Sequence, residues 1–134
     1  MARRIADNVI PITTSLDVSF FRAWLDFTAP LHALTNKERL VMAHYLKEHY
    51  DLSKVVTDDA ILAQVLSGLN VKQRIMNACD LKPVNLQVIL HKFKKLNLMS
   101  EGKITPKLIP AVTSEVLESG EFRLMIRFAI KNDA

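Results

Sequence analysis

Residues 80–110 read DLKPVNLQVILHKFKKLNLMSEGKITPKLIP, and the order of elements in this stretch decides the fold. Leu86, Ile89, Leu90, Phe93 and Leu96 recur at i, i+3, i+4, i+7 and i+10, which lines one face of a helix. Pro83 suits the first helical position, where a missing N–H leaves nothing unsatisfied and φ is already close to its helical value. A helix is therefore expected over 83–97. Behind it, Leu98-Met99, the polar turn Ser100-Glu101-Gly102-Lys103 and Ile104 read as a small β-hairpin, closed by Thr105-Pro106. Ahead of it, Asn70 can cap a short helix in which Val71, Ile75, Ala78 and Cys79 share a face, and Asp80-Leu81-Lys82 makes a tight connection. Short helix, tight turn, long helix and hairpin make a helix-turn-helix unit of winged-helix-like order.

Upstream of this unit, Thr35-Asn36-Lys37-Glu38 has the spacing of a capping box, in which hydroxyl and carboxylate satisfy each other's backbone N–H. The helix it opens should run to about Tyr50, bury some of Leu40, Val41, Met42, Tyr45 and Leu46, and leave through Asp51-Leu52-Ser53. Thr57 then offers an N-cap followed by Asp58 and Asp59, acids favoured at a helix start; Ile61, Leu62, Val65 and Leu66 form a stripe, and Gly68 fits the C′ position. Earlier still, Ser19 is a plausible cap for a helix that places Phe20, Phe21, Trp24 and Leu25 on one face and ends at Pro30. Its aromatics read as core packing, with anchoring of a partner subunit as the other possibility. The arm containing Arg3, Arg4 and Val9-Ile10-Pro11-Ile12 should be extended, because proline disfavours a helix there.

At the other end, Phe122, Leu124, Ile126, Phe128 and Ile130 alternate with Arg123, Met125, Arg127, Ala129 and Lys131, the period of a strand with one buried face. Such a strand needs a partner, to be supplied by residues 9–12, the hairpin or a neighbouring chain. Residues 108–120 are compatible with a short helix or with a strand leading into a turn at Ser119-Gly120. The whole is expected to be mainly α (α+β) and a single domain over 1–134, with an N-terminal arm over 1–18, a helical core over 19–110 and a C-terminal strand arm over 111–134.

Composition narrows the function. About half of the 134 residues are apolar and only three are glycine, which suits one ordered domain with a modest core. The lone cysteine, Cys79, rules out an internal disulfide, and the first residues lack the apolar segment of a secretory signal, so synthesis in the cytoplasm is expected. Apolar runs stay far below the roughly 20 residues a membrane helix needs. The net charge of +4 is unevenly spread: residues 70–107 carry eight basic groups against two acidic ones, and the rest of the chain carries ten against twelve. That asymmetry suits a polyanion or an acidic protein surface, and equally a solvated lysine face.

No phosphate-binding loop, dinucleotide fingerprint, nucleophile elbow or paired-histidine zinc motif occurs. His44 and His49 stand five apart, which does not stack two ligands on a helix, and Cys79 reads as a small core residue. A non-enzymatic protein without metal or cofactor is expected. Its most informative surface is the outside of helix 83–97, where Asn85, Gln87, His91, Lys92, Lys94 and Lys95 point away from the stripe, flanked by Lys82 and Lys103. Asn and Gln can read adenine edges while lysines neutralise phosphates, as a recognition helix in the major groove requires. The same residues could meet an acidic partner protein.

Leu34-Thr35-Asn36-Lys37-Glu38 resembles the opening of helix-turn-helix regions in LuxR-type proteins and in sigma-factor region 4. The longer stretch 80–110 resembles small helix-turn-helix-like proteins of tailed bacteriophages, including the crAss-like kind, and the resemblance extends over about Leu34 to Pro110. It departs from a standard regulator at Lys82-Pro83, where a Gly- or Ser-containing turn is usual, and in adding an aromatic N-terminal segment and a C-terminal strand. The resemblance implies a virion structural protein, an auxiliary or connector subunit at the portal, neck or capsid vertex, with other virion proteins and copies of itself as partners and no membrane or small-molecule substrate. Subunit contacts would then fall to Ile10, Ile12, Phe20, Phe21 and Trp24, and to Phe122, Leu124, Ile126 and Phe128. The alternative it implies is a regulator in the host cytoplasm that binds double-stranded DNA through residues 82–95, with 98–104 as the wing.

Overall fold

The computed structural model describes residues 10–125 and 127–131. Arg3, Arg4 and Val9 of the arm, and Ile126, lie outside the described residues. Among the described residues six α-helices and one hairpin follow in order: α1 Val18–Phe27, α2 Asn36–Ser53, α3 Asp59–Leu66, α4 Leu69–Cys79, α5 Pro83–Lys95, β1 Met99–Ser100, β2 Lys103–Ile104 and α6 Ser114–Ser119. The fold is mainly helical, with a two-stranded antiparallel sheet.

Helix α2 is the hub, and α1, α3 and α4 all pack against it. Its start is the capping box foreseen above: Glu38 N–H donates to Thr35 Oγ1 at 3.4 Å and Thr35 N–H to Glu38 Oε1 at 2.8 Å. Val41, Met42, Ala43, Tyr45 and Leu46 are buried along it, while Asp51, Leu52 and Ser53 prolong the helix rather than end it. One contiguous core results, joining Phe21 and Leu25 of α1, Leu62 and Leu66 of α3, Val71 and Ile75 of α4, Leu86 and Phe93 of α5, and Met99 and Ile104 of the hairpin.

Three caps stand one or two residues from their expected places. Asp17, not Ser19, caps α1 by accepting the Ser19 N–H at 2.8 Å. Asp58, not Thr57, caps α3 through the N–H groups of Ala60 and Ile61. Gly68, not Asn70, precedes α4; its φ of −74° is ordinary backbone, so it does not act as a left-handed C′ residue. In the first two cases an aspartate within two residues of the expected cap takes its place, since a charged acceptor satisfies helix N–H groups and the positive helix end together. Pro30 lies in a 3-10 turn, Ala29–Leu31, beyond the actual end of α1.

The helix-turn-helix unit closes through two left-handed residues. Asp80 (φ 53°) ends α4 while Leu81 N–H reaches the Met76 carbonyl at 2.9 Å. Asn97 (φ 59°) ends α5, with Leu98 N–H on Phe93 O at 2.9 Å and Asn97 N–H on Lys94 O at 3.0 Å, the paired bonds of a Schellman stop. Leu86 and Phe93 of the α5 stripe are buried, Ile89 and Leu90 half-buried, and Leu96, already past the helix, is exposed. In the hairpin Met99 pairs with Ile104 and Ser100 with Lys103, leaving Glu101 and Gly102 as a two-residue loop, both at positive φ. That is the handedness that matches strand twist in tight hairpins.

Residues 108–120 resolve as the 3-10 turn Pro106–Leu108 and then α6, capped by Thr113 and stopped by left-handed Gly120. The C-terminal strand expected over 122–131 is not formed: among the described residues, 121–125 and 127–131 make no ladder and bury no apolar face beyond a half-buried Phe122. Neither residues 10–12 nor the hairpin supply the partner strand. An isolated strand leaves its N–H and C=O groups without partners, so alternation alone cannot hold it.

Candidate functional site

Three surfaces hold the residues singled out from the sequence. The first is the outside of α5. Asn85, Gln87, His91, Lys94 and Lys95 are exposed there, with Lys82 at its start and Lys103 on the hairpin also exposed. Lys92 is the exception. Its ammonium lies 2.8 Å from Glu38 Oε1, so it ties α5 to the capping box of α2 instead of standing free for a phosphate. Burial pushes the Glu38 carboxyl up, yet the Lys92 bond together with the Thr35 N–H and hydroxyl outweighs it, and the net shift is downward. Between the polar residues of this face stand Val84 and Val88, 63% and 65% exposed.

Where α5 meets the start of α2, an open groove of about 510 Å³ is lined by Lys37, Asp80, Leu81, Val84, Asn85, Val88 and Ile89. Lys37 Nζ donates to the Cys79 carbonyl and so closes the C-terminal end of α4, as cations do at the negative end of a helix. Apolar methyls beside amide side chains can meet a protein surface as well as thymine methyls and adenine edges.

The hairpin is the second surface. A Cβ added at Gly102 would come within 2.0 Å of the Ala63 carbonyl oxygen and 2.9 Å of Ser67 N, so the turn is seated on the C-terminal end of α3. Glycine is required twice over, by this approach and by φ +79°. The wing therefore belongs to the packing of the domain, with Lys103 exposed on its flank.

The chain ends form the third surface. Phe20 and Phe21, given above to neighbouring subunits, are buried in this chain's own core, and Trp24 is half-buried with its Nε1 donating to Leu108 O at 2.7 Å. Phe122 docks edge-on against Phe20 (5.2 Å between centroids) and Trp24 (5.7 Å), while Phe21 packs against Phe20 and Tyr50. Ile10 and Ile12 are exposed, and so are Leu124, Met125, Phe128 and Ile130, the last three at 89%, 84% and 89%. A second groove, about 640 Å³, runs between Trp24, α6 and the chain at Phe122–Leu124.

Titratable groups are buried away from these surfaces. Tyr45 is 1% exposed, its hydroxyl has no hydrogen-bond partner, and burial, aided by Cys79 and Glu48, pushes its pKa up to about 12. Burial holds His44 and His49 below the usual imidazole range despite Glu48 and Asp59 nearby, and lifts the Cys79 thiol against the pull of Lys37. His32 is a structural pin: Nε2–H donates to Leu25 O and Nδ1 accepts from Leu34 N–H, at 2.8 and 2.9 Å. Its role, like the Glu38–Lys92 pair, depends on residues brought together by folding. Among the described residues no group of three or more His, Cys, Asp or Glu could hold a metal ion, and no helix is long and apolar enough to cross a membrane. Comparison with models of protein families, with curated proteins and with solved structures yields no match to this chain.

Proposed function

We propose that the chain is a non-enzymatic structural subunit of a tailed-bacteriophage virion, an auxiliary or connector protein at the portal, neck or capsid vertex. Its helix-turn-helix-like core serves as a packing scaffold, and its two ends reach other virion proteins and further copies of itself. The observation that carries this reading is the C-terminal segment: Phe128 and Ile130, on one face of the alternation, are 84% and 89% exposed, more than exposed apolar side chains elsewhere among the described residues such as Val55, Leu69, Val84 and Val88. Exposed apolar side chains in regular alternation suit strand addition to a neighbour, where backbone and side chains are satisfied together. The virion setting rests on the resemblance carried by residues 80–110.

A second reading, a DNA-binding regulator, draws on the exposure of Lys82, Asn85, Gln87, His91, Lys94, Lys95 and Lys103 around α5. Against it stand the engagement of Lys92 with Glu38 and the seating of Gly102 on α3, which tie one cation and the hairpin glycine into the domain's own packing. Deleting residues 123–134 tests the structural reading, because Phe122 stays on Trp24 and the core is untouched. The truncated chain is expected to fold, with unchanged helical circular dichroism, and to drop out of co-assembly with its virion partners. Co-assembly undiminished by the truncation overturns the reading; a duplex-DNA affinity that falls with salt and loses slope when Lys94 and Lys95 are replaced favours the regulator.

A further inference from the structure

Among the described residues, two helices carry a pair of exposed large apolar side chains four residues apart. On α3 the pair is Ile61 and Val65, 51% and 39% exposed; on α5 it is Val84 and Val88. Each helix already turns another side to the core, Leu62 and Leu66 on α3, Leu86 and Phe93 on α5. Neither exposed pair is therefore needed by the packing of its own chain. We infer that the two faces cover each other between copies, the α3 face of one chain packing on the α5 face of a second. The inference rests on the structural-subunit reading and names one of its contacts between copies.

Charge selects this crossing. From Val55 to Val71 the chain has two acids, Asp58 and Asp59, and no Lys or Arg; from Leu81 to Ser100 it has four lysines and no Asp or Glu. Both aspartates are exposed, and so are Lys82, Lys94 and Lys95, while Lys92 is held by Glu38. Two such faces can meet in only three ways. Joining α3 to α3 gathers the aspartates of both copies at one interface, and joining α5 to α5 gathers the lysines, each a like-charge contact that opposes association. Only α3 on α5 surrounds the apolar pairs with unlike charges. The groove's own Lys37 and Asp80 offset one another and leave that balance unchanged.

Shape agrees with charge. Val84 and Val88 line the groove of about 510 Å³ beside the start of α2, together with Leu81 and Ile89. A helix laid along it presents ridges of side chains at i and i+4, the spacing of Ile61 and Val65. Duplex DNA could engage the lysines of α5 but would leave the α3 face bare, whereas a second copy covers both. The contact is heterologous, so each chain uses both of its faces, and the series closes into a ring or continues as a filament. With four side chains at its centre it is small and weak alone. It acts between copies that the C-terminal segments have already gathered, where effective concentration replaces solution concentration.

Cross-linking of full-length chains tests this. Chains carrying Ile61→Cys are mixed with isotope-labelled chains carrying Val84→Cys or Val88→Cys and treated with a short bis-maleimide, Cys79 being buried in all of them. The mixed dimer is expected in several-fold greater yield than either same-site dimer, and to fall as salt screens the charges. In a second measurement, sedimentation equilibrium, Ile61→Lys or Val88→Lys should weaken self-association roughly tenfold, by setting a charge into the apolar centre. Both positions are exposed, so helical circular dichroism should match wild type, and Gln73→Lys on the exposed side of α4 should leave association unchanged. Same-site dimers as abundant as the mixed one, no mixed dimer, or association indifferent to both lysine variants overturns the contact. If co-assembly is lost on deleting 123–134 yet no mixed dimer forms, only this contact falls; if co-assembly survives the deletion, the structural reading falls whatever the cross-link shows.

Discussion

The stripe Leu86, Ile89, Leu90 and Phe93 on α5 and the alternation Phe122, Leu124, Phe128 and Ile130 beyond α6 are both regular and both apolar, yet Phe93 is fully buried while Phe128 is 84% exposed. A helix satisfies its own backbone and needs only a surface to cover its stripe, which the hairpin and the common core provide. A strand needs a neighbour for its hydrogen bonds before its side chains can be useful. Periodicity therefore states which face will be buried, but for a strand it leaves open whether the burying surface belongs to the same chain.

The largest test of that contrast is a pair of truncations. Phe93→Ala is expected to lower the unfolding free energy by roughly 3–5 kcal/mol, the usual range for a buried phenylalanine, whereas Phe128→Ala should stay within about 0.5 kcal/mol for the isolated monomer. Urea denaturation at low protein concentration measures both, and a comparable loss at Phe128 would mean that its segment is part of the monomer's core. Gly102→Ala comes next. Strain at positive φ and a forced shift against the Ala63 carbonyl should together remove roughly 2–4 kcal/mol, and thermal melting near wild type would show that the hairpin is not seated on α3.

Smaller, and opposite in sign, is Tyr45→Phe. Its hydroxyl is buried without a partner, so its removal should raise stability by about 1 kcal/mol and lessen the loss of stability above pH 10. The alkaline sign follows from the raised pKa: the phenol is protonated in both states below pH 10, and the folded state resists ionisation between there and about 12. A destabilised Tyr45→Phe would reveal a partner for the hydroxyl. The mildest effect concerns His44 and His49, whose folded pKa values lie below the ordinary 6.5. Their contribution is complete above that pH and is lost as the pH falls through the folded values, since protonation then favours the unfolded chain. Replacing both by glutamine should flatten the stability profile between about pH 7 and 5; an unaltered slope would place the acid sensitivity elsewhere.

Much of the core was legible because its signals are local. Thr35 and Glu38 identify their cap within four residues, Pro83 and the stripe from Leu86 to Phe93 identify α5, and a glycine in a polar turn identifies the hairpin. Caps at Asp17 and Asp58 were displaced because neighbouring residues could serve equally well locally, and tertiary packing chose between them. The Lys92–Glu38 pair, the pinning of His32 and the contact of Gly102 with Ala63 join residues that only the folded chain brings together. They change the reading of the α5 surface most, since Lys92 is engaged by Glu38 and Gly102 is seated on α3.

The most direct test of the structural-subunit account is the solution mass of the nuclease-treated full-length chain, followed with concentration, with and without residues 123–134 and with and without duplex DNA. The account predicts association that grows with concentration, disappears on truncation and is indifferent to DNA. A chain that remains monomeric with or without its C-terminal segment, and gains mass only on adding duplex DNA, would contradict it.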